Sequence, residues 1–162
     1  MDRKYIDVED IVCIKRDMRE AGKVPSRSIK IHDEIYKQHP EINSVIIAHP
    51  PYIMAYAVTD ETLDSKSIPE SYILMRDIPK VEYSEFYQNP DKAAQKFDES
   101  TPIVMVSNDC LAVTGDSLLN VFDRLEVAEY SAKALVYAKN LGDMVPISEE
   151  QIEEIKNAFH LK

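Results

Sequence analysis

The stretch that decides the architecture is Ser44-Val45-Ile46-Ile47-Ala48-His49-Pro50-Pro51-Tyr52. A β-branched apolar run of this kind reads as a buried strand, and the two prolines stop it immediately after the histidine. In α/β proteins ligands bind at the carboxyl ends of the strands. Of the four histidines in the chain, His49 alone stands at such a place.

Upstream, Glu41-Ile42-Asn43 links this strand to a helix that opens after Pro25-Ser26-Arg27-Ser28 and stops before Pro40. Ser26 or Ser28 is its expected cap, and Ile31, Ile35 and Tyr36 supply its apolar face. Earlier still, residues 10–15 read as a strand, and Gly22 as a turn residue able to take positive φ. Downstream, residues 52–58 read as a buried helix with Pro51 in its first turn, followed by a polar loop. Tyr72-Ile73-Leu74-Met75 is a candidate strand, and residues 78–86 leave room for another short one. Asn89-Pro90-Asp91 starts a helix expected to reach Phe97. Two strands follow, 103–106 and 111–113, joined by a tight turn at Asn108-Asp109. The longest helix is expected over 117–140, with Leu118, Val121, Phe122, Leu125, Ala128, Ala132, Leu135 and Val136 recurring at three and four residues. Gly142 ends it, and Ser148 with Gln151 forms the capping box of a last helix. This order gives an α/β domain over residues 1–162, a central mixed or antiparallel sheet with helices on its faces.

The composition excludes several roles. Among 162 residues, 44% are hydrophobic and 30% charged, as in a globular domain. A net charge of −10 argues against nucleic-acid and anionic-membrane partners. No apolar run approaches the ~20 residues that span a bilayer. The opening Met1-Asp2-Arg3-Lys4-Tyr5 lacks a signal peptide's apolar core, so a cytoplasmic location is expected. Cys13 and Cys110 have no metal-ligand spacing and read as reduced, mostly buried thiols. The three glycines form no phosphate-wrapping loop.

Several segments together carry a resemblance. Pro25-Ser26-Arg27-Ser28, then His32, Tyr36 and Pro40, the strand ending His49-Pro50-Pro51-Tyr52, Ser67-Ile68-Pro69, the run from Met105 to Gly115, and Asp143-Met144-Val145-Pro146 resemble, in order, the class II aldolase/adducin family. The resemblance implies a three-layer fold with a mostly antiparallel sheet. It further implies a longer protein, because that family has an N-terminal segment that this chain lacks. The family holds zinc or another divalent ion with three histidines and uses a glutamate as ligand and acid/base. Carried over by position, the glutamate falls on Ser28, whose unactivated hydroxyl is no proton acceptor near neutral pH. The first histidine falls on Ile47, the second on His49, the third on Asp109, and the glycine after it on Cys110. Ser26 and Arg27 fall on a phosphate-binding serine pair, and Tyr72 lies near the family's catalytic tyrosine.

One imidazole and one carboxylate are too few for a zinc site. The expectation is therefore an aldolase-like domain with most metal ligands lost, no cofactor, and a structural or binding role. Two alternatives stand beside it. One is a sugar-phosphate aldolase or epimerase using a divalent ion held by His49, Asp109 and His32, or by ligands lent by a partner chain. The other is an interaction module like the adducin head. The resemblance also implies a homo-oligomer or pairing with an aldolase-like partner. His39 and His160 read as exposed and uninvolved.

Overall fold

In the computed structural model, which describes residues 5–15 and 18–161, the apolar run before His49 forms a five-residue strand. In chain order the elements are a small hairpin of β1 (Ile14–Lys15) and β2 (Met18–Arg19), then α1 (Ile29–Gln38), β3 (Ser44–Ala48), α2 (Pro51–Ala57), α3 (Pro69–Met75) and β4 (Lys80–Val81). There follow α4 (Tyr83–Gln88), α5 (Pro90–Ala94), β5 (Ile103–Val106), β6 (Cys110–Gly115), α6 (Leu118–Ala138) and α7 (Glu149–Phe159). The main sheet has the order β3-β6-β5-β4. Its first two pairings are antiparallel and the last, β4 with β5, is parallel.

Strand alternation sends successive side chains to opposite faces. On one face Ile103, Met105, Leu111 and Val113 meet α2, α3 and α6 through Ile53, Met75, Val121, Ala128 and Ala132. On the other, Val45, Val104, Val106 and Ala112 meet α1, α4 and α5 through Ile31, Ile35, Phe86 and Ala94. The result is helix, sheet, helix: three layers around two apolar seams, as expected.

Several local readings need correction. Residues 72–75 belong to helix α3, not to a strand. Pro69 opens that helix at its first turn, and Ser71, Tyr72 and Met75 bury one helical face. The helix starting at Pro90 ends at Ala94, short of Phe97. Only Ile14–Lys15 of the expected 10–15 strand pairs as a strand; Val8–Asp10 is a 3-10 turn. Tyr36 is exposed, so the buried face of α1 is Ile31 and Ile35. Neither serine caps α1 with its hydroxyl: Ser28 sits at the cap position, and its Oγ lies 2.8 Å from Ser26 Oγ. His39 is half-buried rather than free, its ring Nε2–H donating to the Ala94 carbonyl at 2.9 Å. At the start of α6, Leu118 and Phe122 are exposed instead of buried. Of the two cysteines Cys110 is buried, but Cys13 is exposed on the segment before the small hairpin.

Other readings hold. Gly22 takes φ +79° in its turn, whereas α6 ends at Ala138 with Lys139 as its cap, so Gly142, at φ +150°, lies in the loop beyond the helix and does not end it. Ser148 and Gln151 form the reciprocal cap of α7. Asn108 adopts φ 57° in the β5–β6 turn, a left-handed conformation that Asn tolerates. Gly115 is needed for space: a Cβ there would stand 2.2 Å from Asn120 Oδ1 and 2.9 Å from Val121 Cγ2.

Candidate functional site

His49 follows directly on β3, at the carboxyl end of the strand, where the His49-Pro50-Pro51 turn begins α2. Period-2 alternation puts Ile47 and His49 on the same face as Val45, the face covered by α1 and α4. The entry to α1 brings Ser26, Arg27 and Ser28 to this point, its first turn brings His32, and α4 brings Tyr87. Together with Ile47 and His49 they line a cavity of about 320 Å³. Five of the candidate residues from the sequence, Ser26, Arg27, Ser28, His32 and His49, therefore meet at one place.

Asp109 borders the cavity from the β5–β6 turn. Its Oδ2 accepts a 2.8 Å hydrogen bond from the Tyr87 hydroxyl, and its Oδ1 lies 3.4 Å from Arg27 Nη2. The guanidinium also stacks over the Tyr87 ring, 5.2 Å from its centroid. Asp109 is thus both the turn residue and the acceptor that ties the α1 entry to α4. Burial, reinforced by the bond to Asp109, raises the Tyr87 phenol well above its ordinary range and keeps it protonated. Burial also pushes the Cys110 thiol up to about 12, with the Asp109 hydrogen bond adding to the effect. Neither group is a base or nucleophile near neutral pH.

The donor set does not fit a divalent ion. Ile47 presents an alkyl side chain to the cavity where a second imidazole would be needed. Asp109 already serves Arg27 and Tyr87. Among the described residues no group of three or more His, Cys, Asp or Glu side chains is placed to hold a metal. Zinc sites require three or four such donors.

Tyr72 does not line this cavity. It is buried in α3, on the side packed against α7, with the Arg76 guanidinium 5.7 Å from its ring. Two residues that sequence reading missed matter here. Tyr87 lay in a segment whose only signal was the Tyr83–Tyr87 spacing of one helical turn. Glu129 carried no local signal: its carboxylate, on α6, accepts from Tyr52 N and Ile53 N at 3.1 Å and caps α2 just after His49.

Burial lowers the His32 pKa, outweighing the opposing pull of Asp33. The folded protein therefore favours neutral His32. Its contribution to stability is complete above the unfolded value near 6.5 and is lost as pH falls through the depressed folded value. Melting temperature should decline on acidification below pH 6.5, and His32→Gln should flatten that part of the profile. A His32→Gln profile parallel to wild type would show that other groups control it.

Residues 1–136 match the family described as Class II Aldolase and Adducin N-terminal domain. The chain belongs to this family. It is 32% identical over 83 residues to the L-fuculose phosphate aldolase of Methanococcus vannielii, a match covering 49% of this chain and 43% of that protein. It is 26% identical over 129 residues to the 3-oxo-tetronate 4-phosphate decarboxylase of Pectobacterium atrosepticum, covering 76% of this chain and 57% of that one. A solved L-fuculose 1-phosphate aldolase superposes with a TM-score of 0.72 at 26% identity, over 87% of this chain and 66% of that one. The chain thus spans about half the length of the first two relatives. The class II aldolase fold accounts for the three layers, and these relatives include both aldolases and decarboxylases. No described helix is long and apolar enough to cross a membrane.

Proposed function

We propose that this class II aldolase domain binds a small sugar phosphate at the His49 cavity without cleaving it. Ile47 carries the reading, because it fills the position of a metal ligand with a side chain that cannot donate a lone pair. Ser28 supports it, standing where the resemblance has the acid/base glutamate. Ser26 and Arg27 supply the donors for the phosphate, and His32 and His49 face the sugar. Names of relatives that act on phosphorylated compounds support the ligand class. The protein works in the cytoplasm, in keeping with its two free cysteines. It acts as an oligomer, in keeping with the exposed Leu118, Leu119 and Phe122 at the start of α6.

The test pairs calorimetry with elemental analysis. Fuculose 1-phosphate should bind the purified protein, Arg27→Ala should weaken that binding at least ten-fold, and no aldehyde should be released. A stoichiometric divalent ion, with cleavage that His49→Ala abolishes, would overturn the reading and make the domain a metal-dependent aldolase.

A further inference from the structure

The His49 cavity has a neighbour. Across Ser26, Arg27 and Tyr87, which line both spaces, lies a more open groove of about 460 Å³ between the β1–β2 hairpin, the α1 entry and α4. Its lining includes three cations, Arg19, Arg27 and Lys30, and no acid. In a chain of net charge −10 that is a local reversal of sign. Arg27 has Asp109 as its ion-pair partner, while Arg19 and Lys30 have none among the described residues. Lys30 also lies in the first turn of α1, where the helix dipole disfavours a cation and which holds no acid.

The groove's other component is aromatic. Tyr83 is 42% exposed, with its ring 4.8 Å from that of Tyr87. Val24, Pro25 and Ile29 give it apolar surroundings. A half-open ring beside apolar side chains favours a flat partner, and unpaired cations favour phosphate oxygens.

We propose that this groove binds a mononucleotide, with the base against Tyr83 and the phosphates between Arg27, Arg19 and Lys30. Recognition is by side chains, in agreement with the absence of a glycine-rich loop. The proposal shares with the reading above only the role of Arg27 as an anion donor. It makes the ligand larger than a sugar phosphate and extends it onto α4.

Titration calorimetry with ADP, ribose 5-phosphate and inorganic phosphate tests it. ADP should bind at least ten-fold more tightly than ribose 5-phosphate. Tyr83→Ala should erase that difference while leaving ribose 5-phosphate affinity in place, and Lys30→Gln should weaken ADP several-fold. Circular dichroism checks that each variant is folded. Equal affinity for ADP and ribose 5-phosphate would overturn the nucleotide proposal and leave the sugar-phosphate reading standing. ADP binding that neither variant alters would overturn it as well. Failure of ADP to bind a protein that still binds fuculose 1-phosphate would overturn the nucleotide proposal alone.

Discussion

Combining Ser28→Glu with Ile47→His should give the cavity the donor set of a zinc site, which its native side chains fall short of. Positions 47 and 49 project to the same face of β3, and position 28 lies on the same cavity wall. The two substitutions supply an imidazole and a carboxylate to join that of His49, and Asp109 stands beside them at the end of the β5–β6 turn. Three or four N and O donors meet the requirement of a zinc site. At a free zinc concentration of 100 times Kd, linkage adds about 2.7 kcal/mol to folding stability. For a domain of this size that is a rise in Tm of about 5–10 °C. Differential scanning calorimetry with and without zinc, set beside the unsubstituted protein, measures it. A wild-type shift as large as the variant's would mean that the native side chains already bind the metal. No shift in a folded double variant would mean that the Arg27 and Tyr87 contacts hold Asp109 out of reach.

Glu129→Ala should be among the most damaging single changes at an incompletely buried position. The His49-Pro50-Pro51 turn has no capping side chain of its own, since Pro50 occupies the cap position of α2. Glu129 replaces it from a distance, taking the first free N–H groups of α2 with a charged acceptor. Hydrogen bonds to charged groups contribute ~1.5–3 kcal/mol. Removing this acceptor should cost about 2–3 kcal/mol, or about 5–10 °C in Tm. Glu129→Gln keeps one carbonyl acceptor in place and should recover part of the loss. Chemical denaturation of the two variants decides the matter, and an unaffected Glu129→Ala would remove Glu129 from the account of how His49 is held.

The sequence made the layers legible because their signals are local. The β-branched run before His49, the Asn-Asp turn and the Ser148–Gln151 box all stand in the structure where pattern and cap chemistry put them. The failures have physical reasons. Residues 72–75 form a short apolar run, which periodicity alone cannot assign to strand or helix, and Pro69 was the better guide. Leu118 and Phe122 continue the apolar spacing of α6, but spacing does not reveal whether the chain itself covers a face. At the site, Ser26, Arg27, Ser28 and His49 were identifiable by position in a recognisable motif. Tyr87 and Glu129 were not, because each matters through a partner far away in the chain.

The sheet order also carries a kinetic consequence. β5 and β6 are joined by Ser107-Asn108-Asp109 alone, so their hairpin closes a very short loop. β3 must find β6 across all the chain between Ala48 and Leu111, and among the described residues no strand pairs with its other edge. Closing the long loop is the slower event, since its entropy must be met before any pairing is gained. The hairpin then serves as the template, and the strand leading to His49 docks late. Edge elements that join last are natural first points of local opening. Amide exchange should find Ile46, whose N–H faces Val113 of β6, less protected than Val104 and Ala112, making the part of the fold that bears the histidine the part most easily unzipped.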